Sequence, residues 1–261
     1  MRLRGRCRNM LDWLQSHDKL TMEEAMRRFS VSEATARRDF AHLGRRGLVR
    51  RERGCLRPLD IHAGSEVPLD IRESQFEREK DAIMREAARL PRPRDALFVD
   101  VGSTMLHLAK YMPRFNLRVI TNALRTAVAL AERQAALPNM EIVLLGGNLY
   151  PHSYYTFGPS TNGQIRGYRA HWAFISPDGV GPDGYYEVNE FVAENQRSMI
   201  RNSDRTVLLA SHNKFGKTSM IRVEPLDSRF IIVTDIHAAN EPALQAMEKR
   251  GVQVVRAKVH P

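Results

Sequence analysis

The first sixty residues carry three short amphipathic patterns in succession. Met10, Leu11, Trp13 and Leu14 fall on one side of a helical wheel and predict a first helix. Thr21, followed three residues later by Glu24, has the form of a capping box, and Ala25, Met26 and Phe29 supply the apolar side of a second helix. A tight turn at Ser30 and Val31 leads to a third helix capped by Ser32. There Ala36, Phe40 and Leu43 recur at spacings of four and three and define one inward face, while Ala34 and Arg38, flanked by Thr35 and Arg37, lie opposite. Beyond Gly44 and Gly47, residues 48–51 and 55–57 read as two strands around Glu52, Arg53 and Gly54, the form of a wing.

The pattern then breaks. PLDIHAGSEVPLDIRESQ, residues 58–75, reads as a connector. From residue 76 onward, apolar runs alternate with helical patterns: ALFVDV (96–101), LRVITN (117–122), EIVLLG (141–146), HWAFIS (171–176), RTVLLA (205–210), FIIVTD (230–235) and VQVVRA (252–257). Continuous apolar strands separated by helices predict a mainly parallel sheet covered on both faces. The expected architecture is thus α/β overall: a winged helix-turn-helix over 1–57, a linker over 58–75 and an α/β domain over 76–261.

Charge separates the two parts by function. The chain carries a net +10, and residues 1–57 hold fifteen Lys/Arg against seven Asp/Glu, so a surplus of eight belongs to about one fifth of the length. A basic module on a nearly neutral domain points to a polyanion partner for the module alone. A helix whose first exposed turn is small and whose next positions are arginine suits the major groove of DNA. Ser32, Ala34, Thr35, Arg37 and Arg38 are the candidate groove residues, and Arg50, Arg51 and Arg53 on the wing are candidate phosphate contacts. The bland alternative is a solvated basic surface. Cys7 and Cys55 show neither metal-ligand nor disulfide spacing, which suits a reduced cytosol and implies no metal and no cofactor. No apolar run of membrane-spanning length occurs, and the opening MRLRGRCRNM lacks the apolar segment of a signal peptide.

In parallel sheets, ligands sit beyond the carboxyl ends of the strands. Asp100 and Gly102 close the first strand, and Ser103 and Thr104 open the helix that follows, where amides and hydroxyls favour an anion. Asn122 ends the second strand, Gly146 and Gly147 permit close backbone approach after the third, and Asp178 and Lys214 follow two later strands. Together these nine residues suit a phosphorylated polyol or sugar.

VSEATARRDF followed by LGRRGLVRRERG resembles the signature of the DeoR family of bacterial transcription regulators, with Ala36 where that family prefers isoleucine and Cys55 where it has a second wing glycine. GSTMLHLA, ITNA, LLGGNL, FGPS, AFISPDGV, ENQRSMI, NKFG and VTD extend the resemblance over the family's effector domain, which is similar in fold to ribose-5-phosphate isomerase. The resemblance implies that Ser103 and Thr104 hold a phosphate, that Asn122, Gly146 and Asp178 line a sugar pocket, and that Lys214 supplies positive charge. Three departures bear on that pocket: Ser176 in place of glycine, Gln196 in place of lysine and Ser211 in place of aspartate.

The expected function is a cytoplasmic, nucleoid-associated bacterial regulator of carbohydrate genes. It would repress at a double-stranded DNA operator as a dimer or tetramer and answer to a phosphorylated sugar or similar anion. Two rivals stand beside it. One is a sugar-phosphate isomerase-like enzyme fused to a DNA-binding module, for which Asp178, Glu187 and Glu190 are the nearby acids, although the isomerase's triple-glycine loop is replaced by GYYEVNEFVAE. The other is a purely architectural nucleic-acid binder.

Overall fold

The computed structural model describes residues 5–14, 17–58 and 66–260. They fall into two units, Met1–Gln75 and Phe76–Pro261.

In the first unit α1 (Gly5–Leu14), β1 (Leu20–Thr21), α2 (Met22–Phe29) and α3 (Glu33–Arg45) precede a hairpin of β2 (Arg50–Glu52) and β3 (Cys55–Arg57). Thr21 accepts from the Glu24 amide while the Glu24 carboxylate takes the Thr21 amide, so the capping box closes at both ends. Ser30 adopts a left-handed conformation, φ 50°, and turns the chain into α3. Met10, Leu14, Leu20, Ala25, Ala36, Phe40, Leu43 and Leu56 form one buried core beneath the three helices. The wing is tighter than the sequence suggests: Glu52 pairs with Cys55, leaving Arg53 and Gly54 as the turn, with Gly54 at φ 76°. β1 pairs with β3 and makes a third strand that its two-residue length concealed.

Part of the connector is ordered structure. Residues Leu69–Ser74 form α4, in which Ile71 joins the core of the first unit and Asp70 accepts from Arg46 at 2.9 Å. Pro68, in extended backbone at the N-cap, starts this helix rather than interrupting it. The remainder of the connector, 59–65, lies outside the described residues.

The second unit runs α5 (Glu77–Ala87), β4 (Ala96–Val99), α6 (Leu108–Tyr111), β5 (Leu117–Thr121), α7 (Leu124–Ala131), β6 (Met140–Leu144), β7 (Asn148–Tyr150), β8 (Tyr155–Phe157), α8 (Pro159–Arg166), β9 (Ala170–Ile175), β10 (Gly179–Gly181), β11 (Gly184–Glu187), α9 (Glu190–Arg201), β12 (Ser203–Leu209), β13 (Ile221–Glu224), β14 (Phe230–Asp235), α10 (Glu241–Glu248) and β15 (Gln253–Ala257). The seven expected strands form one sheet in the order β15-β14-β12-β9-β4-β5-β6, every pairing parallel. Along β14, Phe230 and Ile232 enter one core while Ile231 and Val233 enter the core on the other face, the period-two alternation of a sheet covered on both sides.

From β4 the chain winds outward through β5 and β6, then returns to β9 on the other side of β4 and winds outward again. The order therefore reverses between β4 and β9, and the crevice beyond their carboxyl ends is where such sheets bind ligands. Two small antiparallel additions, β7-β8 and β10-β11-β13, were not foreseen. Their strands of three or four residues are too short to show a periodic signal.

Candidate functional site

On the first unit Ser32, Ala34, Arg37 and Arg38 are exposed and Thr35 is half-exposed, on the side of α3 away from Ala36, Phe40 and Leu43. Ser32 stands at the N-cap, but its hydroxyl lies 3.1 Å from the Thr35 hydroxyl and makes no bond to the helix amides. This corrects the expected side-chain cap. Arg37 pairs with Glu33 at 2.5 Å one turn back, and Arg38 folds over its own helix, donating to the Ala34 carbonyl and the Thr35 hydroxyl at 3.3 Å each. Exposed contacts of this kind contribute little, so both guanidinium groups can exchange them for phosphate or base edges. On the wing Glu52 holds Arg50 at 3.1 Å and Arg57 at 2.9 Å, whereas Arg51 and Arg53 are exposed without an ion pair among the described residues. Arg37, Arg51 and Arg53 face a cleft of about 430 Å³ between α3 and the wing.

Sequence reasoning missed Asp39. It is 3% exposed, and Arg6 of α1 donates to it at 2.6 Å. Its signal was position: residue 39 falls in the stripe of 36, 40 and 43, where an acid needs a partner.

In the second unit, several expected residues meet beyond β4 and β9. Gly102, at φ +155°, runs so close to Ser176 that a Cβ on it would lie 3.0 Å from the serine Cβ. Ser103 and Thr104 are buried behind it. The helix they were expected to open is only a 3-10 turn, Met105–His107, running into the four-residue α6, so little helix dipole is present there and any anion must rely on hydroxyls and individual amides. Asn122 is fully buried and donates to the Thr156 carbonyl at 3.0 Å, tying β5 to β8. Asp178 accepts from the Val188 amide at 3.3 Å and lies 3.6 Å from Lys214.

Gly146 and Gly147 follow β6, at the edge of the sheet. The Gly146 amide donates to Gln164 at 3.1 Å and its carbonyl accepts from Thr161 at 2.7 Å. A Cβ on Gly147 would lie 2.1 Å from the Thr161 hydroxyl and 2.7 Å from the Phe157 carbonyl. The two glycines let α8 seat on the end of β6, which gives both a packing role.

The site gains Glu187 and Gln196. Glu187 lies opposite Asp178 across the β10-β11 hairpin, one step beyond the Gly179–Tyr186 pair. The Gln196 carboxamide donates to Asp100 at 2.7 Å and to Glu187 at 2.8 Å. Asp100 and Gln196 are fully buried and Glu187 is 4% exposed. Burial, followed by the neighbouring charges of Asp178 and Asp100, pushes the Glu187 carboxyl well above the usual glutamate range. The approach of Glu187 to Asp100 depends on a hairpin that the sequence pattern did not reveal.

A model of the DeoR C terminal sensor domain matches residues 75–236, and a model of the DeoR-like helix-turn-helix domain matches residues 6–61. The chain is 28% identical over 246 residues to the HTH-type transcriptional repressor GlcR of Bacillus subtilis (strain 168), covering 94% of this chain and 93% of that protein. It is 26% identical over 247 residues to the HTH-type transcriptional regulator UlaR of Salmonella arizonae, covering 95% and 96% respectively. Ribose 5 phosphate isomerase A from Neisseria gonorrhoeae overlays at a TM-score of 0.37 with 13% identity over 52% of each chain, an overlap too slight to carry an inference.

Proposed function

The chain belongs to the DeoR family of transcriptional regulators, and from that premise we infer that it represses carbohydrate genes and is relieved by a phosphorylated sugar. What supports the effector reading is that Asp100, Ser103 and Thr104 follow β4 and Asp178 follows β9, on either side of the point where the strand order reverses, with Lys214 3.6 Å from Asp178, so hydroxyls, carboxylates and a cation suited to a sugar phosphate lie at these strand ends. The DNA reading rests on Ser32, Ala34, Thr35, Arg37 and Arg38 along one side of α3, with Arg50, Arg51 and Arg53 beside them on the wing.

Such a regulator works in the cytoplasm as a homodimer or larger oligomer. One winged helix reaches few base pairs, and two of them related by a two-fold axis read half-sites about 10 bp apart or a multiple of that. Effector must bind the DNA-releasing arrangement more tightly than the DNA-bound one, because equal affinity for both shifts nothing. The partners are double-stranded DNA and the effector; among the described residues no helix is long and apolar enough to cross a membrane.

Catalysis is disfavoured by the state of the acids. An isomerase needs an ionised base over the C2 proton, whereas burial disfavours the ionised form of Glu187 and Asp178 is engaged by Lys214 and the Val188 amide. The test is fluorescence anisotropy of the full chain on DNA from its own promoter, with pentose and hexose phosphates added in turn. Release by one of them supports the reading; binding indifferent to all of them overturns the effector assignment. Conversion of any of them above a buffer blank overturns the non-enzymatic one.

A further inference from the structure

We propose that the effector carries a cationic amine as well as its phosphate, as an amino-sugar phosphate does, and that the amine docks on Asp100, Asp178, Glu187 and Gln196. This inference rests on the sugar-phosphate reading of the same site and narrows its ligand class.

The argument is one of unmet chemistry. Asp100, Asp178 and Glu187 bring three carboxyl groups to one buried locus, and what joins Asp100 to Glu187 is a neutral carboxamide. Both hydrogens of Gln196 Nε2 are spent on those two carboxyl groups, and the Asp100 contact sets the orientation of the amide, because the reverse would place its oxygen against a carboxylate. Its Oε1 then has no partner among the described residues, and the residue is fully buried. Two further orphaned oxygens lie close by. The Tyr185 hydroxyl, fully buried and two residues before Glu187, has no partner, and the charges of both Glu187 and Asp100 act on it. Asn122 Oδ1 has none either, and Asn122 lies one residue past the Thr121–Val99 pair, beside Asp100 on the adjacent strand.

Against three carboxyl groups and the orphaned amide oxygens of Gln196 and Asn122, the cation beside Asp178 is Lys214, 3.6 Å away, so acceptors outnumber donors at this locus. A phosphate would be repelled from it, and a sugar hydroxyl brings one hydrogen and no charge. An ammonium group brings three hydrogens and a positive charge, and it satisfies an orphaned carbonyl oxygen and a pair of carboxyl groups at once. With the amine seated there, the phosphate of the same molecule falls to Ser103 and Thr104 beyond β4, at the other side of Gly102.

Titration calorimetry and thermal shift of the full chain test this with matched phosphates: glucosamine 6-phosphate, N-acetylglucosamine 6-phosphate and glucose 6-phosphate, and the same three in the galactose series. The amine is expected to bind at least tenfold more tightly than its acetylated and hydroxyl counterparts in one series. Gln196→Lys, which supplies a cation from the protein itself, is expected to erase that preference while a neutral sugar phosphate still binds. Asp178→Asn, at the more exposed edge of the locus, is expected to reduce the preference without altering the core should the lysine variant fold poorly. Amines bound no better than their neutral counterparts overturn this inference and leave the sugar-phosphate reading standing. No response to any of the six overturns both.

Discussion

Arg6 on α1 and Asp39 on α3 form an ion pair of 2.6 Å with the carboxylate 3% exposed, and the pair ties α1 to the helix that carries Arg37 and Arg38. Arg38 and Asp39 are adjacent in sequence yet face opposite ways, one toward solvent and one toward α1. Asp39→Ala strands Arg6 and removes a charge-assisted hydrogen bond of about 1.5–3 kcal/mol. Denaturant titration of the full chain is expected to show a loss in that range. DNA affinity is expected to fall as well, although the variant gains net positive charge; tighter binding would show that the helix angle does not depend on this pair.

Arg38 and Arg51 separate base reading from phosphate contact. Arg38→Ala is expected to cost about 1–3 kcal/mol at the cognate operator and little on random DNA, because its guanidinium leaves Ala34 and Thr35 for a base edge. Arg51→Ala is expected to weaken both equally and to lower the salt slope of binding by about one unit. Anisotropy titrations across a salt series on both DNAs distinguish the two.

Gly147 answers to packing. With φ +149° and a Cβ position 2.1 Å from the Thr161 hydroxyl, Gly147→Ala forces α8 away from the end of β6. A loss of roughly 1–3 kcal/mol is expected, readable as a lowered Tm with or without a sugar phosphate present. A variant as stable as the wild type that fails to respond to effector would restore the glycine to the binding site.

Glu187 makes stability depend on pH in the direction opposite to an ordinary carboxylate. Burial, then Asp178 and Asp100, raises its folded value above its unfolded one. Its contribution is complete below the ordinary glutamate range of about 4.3 and is lost as pH rises through the raised folded value. Glu187→Gln keeps the contact with Gln196 and removes the titration, so its Tm is expected to exceed that of the wild type most at the alkaline end of a series of melts run from about pH 5 to about pH 8. A constant difference across the series would assign Glu187 an ordinary ionised state.

Asp81 behaves in the opposite sense. Burial opposes its charge, but hydrogen bonds from Lys110, Tyr111 and His107 outweigh it and pull the carboxyl down to about 2. The stability it confers is present above the ordinary aspartate value of about 3.9 and disappears as pH falls through about 2. Asp81→Asn is expected to be less stable than the wild type at pH 6 and to lose less on acidification, as followed by thermal melts through that window.

The sequence by itself determined the three helices and the wing of the first unit, the seven long strands of the second, and the sides their residues take. The stripe Ala36, Phe40, Leu43 places Arg37 and Arg38 in solvent on any helix, because side-chain direction follows from a period of 3.6 residues. Seven apolar runs bounded by turn residues became seven parallel strands, because strands covered on both faces show apolar runs in place of strict alternation. Tertiary structure alone decided which strand ends meet. Asp100 and Glu187 are 87 positions apart and are joined by Gln196, which follows Glu187 by nine, through a crossover and a hairpin of three- and four-residue strands that leave no periodic trace. It likewise decided that Gly147 serves α8 and that α4 belongs to the first unit, since both depend on what a residue packs against. Local pattern sets which way a side chain points; the folded chain sets what waits there.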